Sequence, residues 1–94
     1  MRIDGIEIFH VAVPLTKPMI TPLGQWERLE TVLVGLESQG VVGWGEASPG
    51  NAPVLGPEWT GSVYRCLADW IAPALVGQSF DRGEQVQEHL VRLR

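Results

Sequence analysis

The side chains of this 94-residue chain that could do chemistry are few and scattered. They are His10, His89, Cys66, the single lysine Lys17, and the acids Glu30, Glu37, Glu46, Glu58 and Asp69. A nucleophilic triad needs a hydroxyl or thiol, a base and an orienting acid, and no spacing here suggests one. His10 lies in a strand pattern and reads as structural. His89, beside Glu88, reads as part of a solvated helix face. Cys66 falls in mid-helix on an apolar face, where a free thiol packs in the core and does not react. No two of these five carboxylates stand at a spacing that would bring them together for metal binding or acid–base work. Glu46 is the most interesting acid. It ends Val42-Gly43-Trp44-Gly45-Glu46-Ala47, where a strand runs into a Pro-rich loop. Its two readings are a carboxylate that anchors the loop by accepting backbone N–H groups, and a catalytic group. Lys17 is either a turn residue or a substrate contact. Gly43-Trp44-Gly45 fits neither GxGxxG nor a P-loop, so it carries no nucleotide signal.

Composition narrows the class. A hydrophobic content of 45% with 19% charged residues is that of one small globular domain, not of a disordered chain. The net charge of −4, with acids and bases interspersed, argues against a nucleic-acid partner. A lone cysteine excludes an internal disulfide and fits a reduced, cytoplasmic setting. No apolar run approaches the roughly 20 residues of a membrane span, and residues 1–4 do not resemble a signal peptide.

The elements that must position these residues follow from periodicity. Residues 2–14 predict a first strand, with Ile6, Ile8, His10 and Ala12 on one face and Glu7, Phe9, Val11 and Val13 on the other. Both faces are largely apolar, so cover on both sides is expected, with Pro14 ending the ladder. Residues 15–26 predict a loop with turn chemistry at Lys17-Pro18, Thr21-Pro22 and Gly24, yet it carries Leu15, Met19, Ile20, Leu23 and Trp26. Residues 27–38 predict a second strand, Ser38-Gln39-Gly40 a hairpin turn, and 41–47 a third strand. Residues 48–57 hold three prolines and form a stiff irregular segment. A helix over about 58–72 presents Trp59, Val63, Cys66, Leu67, Trp70 and Ile71 toward the sheet, until Pro73 interrupts it. Asp81 is the expected N-cap of a second helix from about 82, with Glu84 completing a capping box and Val86, Leu90 and Leu93 as its stripe. The pattern is one α+β domain, residues 1–94: a three-stranded antiparallel meander followed by helices. The second helix pattern stops without a C-cap signal, so a truncated domain is expected.

Three stretches carry a resemblance: Val13-Pro14-Leu15-Thr16-Lys17-Pro18-Met19, Val42-Gly43-Trp44-Gly45-Glu46-Ala47, and Trp70-Ile71-Ala72-Pro73-Ala74-Leu75-Val76-Gly77. In this order and spacing they resemble the N-terminal capping domain of the enolase superfamily, in its muconate-lactonizing branch. Within it the chain looks similar to o-succinylbenzoate synthases and N-acylamino acid racemases. The resemblance implies a partner (β/α) barrel that is absent from these residues. That barrel would hold Mg²⁺ and the acid–base lysines that abstract a proton α to a carboxylate, while this chain holds no cofactor of its own. It also implies a specificity cap for a small carboxylate substrate. Met19, Ile20 and Thr21 of the first loop and Gly50, Asn51, Val54 and Leu55 of the second would face the pocket. Many relatives carry Phe where this chain has Met19. A synthase of this kind belongs to menaquinone biosynthesis, and homo-oligomers are compatible with it. Two other readings stand beside it: a stand-alone protein-binding module that uses the apolar loops, and an inactive fragment.

Overall fold

A long hairpin sets the shape of the molecule. The computed structural model describes residues 1–22, 24–54 and 56–92. Strand β1 (Gly5–Thr21) pairs antiparallel with β2 (Gly24–Ser38), and β2 with β3 (Val41–Ala47), in the order β1-β2-β3. The radius of gyration is 15.4 Å and the longest extent 43 Å. A compact chain of about 100 residues would have a radius near 13 Å, so the sheet projects well beyond its packed end.

The β1–β2 hairpin corrects two expectations. Pro14 does not end the ladder: it pairs with Arg28, and after a register break between Pro14 and Met19 the ladder resumes at Met19↔Trp26, Ile20↔Gln25 and Thr21↔Gly24. β1 is an edge strand, so a proline there can lose its N–H on the solvent side without breaking a rung. Residues 19–21 and 24–26 of the apolar stretch are therefore ladder, not loop. Leu23 lies outside the described residues. The β2–β3 turn is as expected: Gln39 and Gly40 take φ of 52° and 79°, the pair of left-handed residues that matches strand twist.

The helical layer covers one face of the sheet. Helix α1 (Thr60–Cys66) passes into a π-helical turn (Leu67–Ile71) and then α2 (Ala72–Leu75). Pro73, expected to interrupt the helix, sits inside it. Its ring would clash with the carbonyl four residues back, and the preceding turn is widened, with the Ala72 N–H bonded to the Leu67 carbonyl. Helix α3 (Gly83–Val91) starts one residue later than predicted, with Arg82 at the N-cap. The side chain that reaches back is Gln85, not Glu84: its Oε1 accepts the N–H groups of Asp81 (2.6 Å) and Arg82 (3.3 Å).

The core lies where the sheet base meets these helices. Ile3, Leu75 and Phe80 are buried, and Ile6, Leu36, Ile71, Val86 and Leu90 pack on them. The N-terminal segment is stitched in by Ile3 N–H to Gln78 O and Gly77 N–H to Ile3 O. His89 turns inward, against expectation. Its Nε2 lies 3.0 Å from the Ala74 carbonyl and its ring stands edge-on to Phe80. Leu93, expected on the α3 stripe, lies outside the described residues.

The face predicted to close the sheet does so only in part. Thr60 is fully buried and the Tyr64 ring lies 5.9 Å from that of His10. Trp70 is 74% exposed, and Cys66 is exposed rather than in the core. Leu67 and Ile71 are half-buried while Cys66 and Trp70 face outward, so the inward stripe is narrower than the predicted one. The other face of the sheet, with Phe9, Val13, Val42 and Trp44, is open, so β1 is not covered on both sides.

Candidate functional site

Both loops end up at the same end of the sheet. β3 runs antiparallel to β2 and stops at Ala47, opposite Val32. The chain then continues along the first residues of β2, beside the tip of the β1–β2 hairpin. The exit from β3 is fixed by hydroxyls. The Thr31 Oγ1 donates to the Ala47 carbonyl at 3.0 Å and lies 2.6 Å from Ser48 Oγ. Ser48 Oγ in turn donates to Glu46 Oε1 at 3.1 Å. Glu46 thus anchors the loop through a serine hydroxyl, not through the backbone N–H groups expected.

Asn51 takes over where β3 leaves off. Its Oδ1 accepts the Glu30 N–H at 2.7 Å and its Nδ2 donates to the Arg28 carbonyl at 2.8 Å. The carboxamide carries one acceptor and donors in one plane, so it can replace a neighbouring strand's peptide group. Gly50, at φ 111°, makes the turn that allows this, a backbone conformation that glycine adopts without steric cost. Its carbonyl accepts both the N–H and the Oγ1–H of buried Thr60, each at 2.8 Å. The same hydroxyl lies 3.1 Å from the Glu30 carbonyl. On the far side of β2, His10 Nε2 is 2.9 Å from Glu30 Oε1, which ties β1 to the same point.

The residues singled out from the sequence fall into two groups. Met19 and Ile20 stand at the hairpin tip, 42% and 88% exposed, and Thr21 Oγ1 closes the tip by donating to the Gly24 carbonyl at 2.8 Å. Gly50 and Asn51 are drawn down onto β2, while Val54 is half-buried, its N–H bonded to the Ala52 carbonyl at 2.8 Å. Leu55 lies outside the described residues. Trp26 is what brings the groups near each other. It pairs with Met19 in the ladder, and its ring passes 3.4 Å from where a Cβ on Gly50 would stand. A shallow cavity of about 690 Å³ lies there, lined by Pro14, Gln25, Trp26, Arg28, Glu30 and Asn51 among others. Neither Trp26 nor Arg28 is among the residues to which the sequence points. The signal for Arg28 is strand parity: Arg28 and Glu30 continue the alternation of Val32 and Val34. A second, apolar groove of about 670 Å³ runs between Ala47, Pro49 and the helix residues Val63, Cys66, Leu67 and Ile71.

Among the described residues no group of three or more His, Cys, Asp or Glu side chains is placed to hold a metal ion. No helix among them is long and apolar enough to cross a membrane. What this end of the sheet offers is shape: an apolar tip, a stiff second loop and a polar hollow between them.

Comparison with protein families matches residues 3–93 to the mandelate racemase / muconate lactonizing enzyme N-terminal domain. The chain belongs to this family. It is an N-terminal domain of the enolase superfamily, with the three-stranded sheet and following helices of that fold. Among relatives of this N-terminal domain, L-Ala-D/L-Glu epimerase of Bacillus subtilis (strain 168) is 35% identical over 99% of the chain and 25% of its own length. The o-succinylbenzoate synthase of the same organism is 27% identical over 100% of the chain and 26% of its own length. A solved substrate-liganded complex of the Bacillus subtilis L-Ala-D/L-Glu epimerase superposes with a TM-score of 0.80 at 34% identity, covering 100% of this chain and 26% of that one. The chain thus spans about a quarter of the length of these relatives.

Proposed function

We propose that this domain is the substrate-specificity cap of an enolase-superfamily enzyme of the o-succinylbenzoate synthase / N-acylamino acid racemase type. The reaction is proton abstraction α to a carboxylate, carried out in a partner (β/α) barrel. Mg²⁺ and the acid–base groups belong to that barrel in this reading. The identity to L-Ala-D/L-Glu epimerase makes epimerisation of a dipeptide a second candidate reaction for the same site.

The observation that carries the reading is the position of the two loops at one end of the sheet in a domain of this family. Loops at the C-terminal face of a barrel build its active site, and a cap of this shape would close over them and exclude water. Met19, Ile20 and Thr21 are the first loop's contacts with the substrate. Gly50, Asn51 and Val54 form the second lip. An apolar tip such as Met19-Ile20, exposed to water here, is suited to the acyl or hydrocarbon part of a small carboxylate, not to its charge.

The test is complementation. The chain is assayed alone and mixed with a separately expressed barrel domain of a related enzyme. The substrates are those of N-acylamino acid racemisation, o-succinylbenzoate formation and L-Ala-L-Glu epimerisation, each with Mg²⁺. Activity only on mixing is the expected result. Turnover by the chain alone, or none with any barrel that is active with its own cap, would count against the cap reading. Capture of an unrelated protein through the loops would favour a protein-binding module instead.

A further inference from the structure

We propose that Asn51 is a positioning residue which, with Trp26, couples the two loops into a single lid. This rests on the cap reading above and adds how the cap is built. The sequence presents the loops as separate segments, twenty-odd residues apart. In the structure the second loop is seated on Thr31 and on Thr60 of the helix, and also on the stem of the first loop. Its carboxamide at Asn51 bonds to β2 at Arg28 and Glu30 on the edge that β3 has vacated. Those residues pair with Pro14 and Ala12 on the opposite edge, so they form the stem of the first loop's hairpin. Two residues further toward the tip, the Trp26 ring borders Gly50. The register break between Pro14 and Met19 is the one irregular stretch in the described part of that hairpin. A hairpin tip beyond such a break would swing freely if nothing braced it. The brace is Trp26 against Gly50, and Gly50 is itself clamped by Thr60.

One Oδ1 lone pair and one Nδ2 hydrogen of Asn51 are committed to β2, and through that grip it sets the positions of Met19, Ile20 and Val54. The spacing of those three is then a property of the whole lid. Substrate size would be selected by one body, not by two loops adjusting separately.

Backbone order parameters from ¹⁵N relaxation test this on the 94-residue chain, with no barrel or substrate needed. In the unaltered chain both loops should approach the rigid value of about 0.85. Asn51→Ala and Trp26→Ala should each lower the order of residues 19–26 and of residues 48–54 together, toward the flexible range below about 0.6. Trp26→Phe, whose ring stops short of the Cη2 and Cζ3 positions that face Gly50, should lower both loops together but less than Trp26→Ala. Residues 41–47 and 83–91 should not change in any variant. A loss confined to the loop that carries the substitution would overturn the proposal. So would no loss at all, or independent motion of the two loops in the unaltered chain. Should Trp26→Ala unfold the chain, Asn51→Ala and Trp26→Phe decide by the same criterion. Coupled loops with failed complementation would refute the cap reading alone, and complementation with uncoupled loops would refute only the coupling.

Discussion

Thr60 shows how much of this domain depends on single polar atoms. Its side chain is fully buried, and its hydroxyl hydrogen is shared between the carbonyls of Gly50 and Glu30. Replacement by valine keeps the shape and removes the donor. Gly50 O retains the Thr60 N–H, but the second carbonyl loses its share of a proton in a site closed to water. A buried acceptor left short costs about 1–3 kcal/mol. Thr60→Val should therefore lower the unfolding free energy by about 1–2 kcal/mol, read as a fall in the urea midpoint with unchanged slope. Thr60→Ser keeps the hydroxyl and loses a buried methyl group, worth about 0.8 kcal/mol, so it should cost less than Thr60→Val. Equal losses in the two variants would mean that packing, not the hydrogen bond, is what Thr60 supplies.

At the scale of elements, Gly35 and Trp44 bind two strands across the open face. They pair directly in the β2–β3 ladder, and a Cβ on Gly35 would stand 3.0 Å from Cζ3 and Cη2 of the indole. The ring also lies 6.1 Å from that of Phe9, so it reaches across all three strands. Two effects compete in Gly35→Ala. A strand interior gains about 0.5–1 kcal/mol when glycine becomes alanine. An aromatic pair forgone costs about 0.5–1.5 kcal/mol. Trp44 is 65% exposed and can lift away, so the net change in stability should stay below about 1 kcal/mol. The Trp44 indole N–H resonance should nevertheless shift clearly. A large loss of stability with a fixed indole signal would show that the ring is pinned by something else. Much at this scale was legible in the sequence. The alternation in 27–38 and 41–47 and the Ser38-Gln39-Gly40 turn place β3 and the end of β2 to the residue, because a hairpin with a two-residue turn leaves no freedom of register, while β2 begins earlier than the pattern, at Gly24. What was not legible has two causes. Proline reads as a stop, yet Pro14 sits on a free edge and Pro73 in a widened turn, and neither context shows in one sequence. The loop end of the sheet was hidden for a different reason. Asn51 stands in for a strand residue through its side chain, and Trp26 becomes part of the site only when two segments distant in sequence meet.

At the scale of the whole molecule, one face of the sheet has no cover among the described residues. Phe9, Val13, Val42 and Trp44 are between 40% and 65% exposed on it, while the helices occupy the opposite face. β3 adds to this. It is an edge strand of sequence Val-Val-Gly-Trp-Gly-Glu-Ala, with no proline or lysine and only Glu46, near its end, to deter another strand. An apolar face next to an unguarded edge favours association. In the two Bacillus subtilis relatives about three quarters of the polypeptide lies beyond the matched region. By itself the chain should self-associate as its concentration rises, which sedimentation velocity would show as a growing fraction of faster species. Val42→Lys places a charge on both the open face and the β3 edge without touching the loops or the buried core of Ile3, Leu75 and Phe80. It should hold the chain monomeric at concentrations where the unaltered chain associates, with the same circular dichroism. If the unaltered chain is monomeric throughout, the open face is tolerated by water as it stands. If Val42→Lys leaves association unchanged, the contact lies elsewhere. The next surface to examine would then be the apolar groove between Pro49 and Leu67.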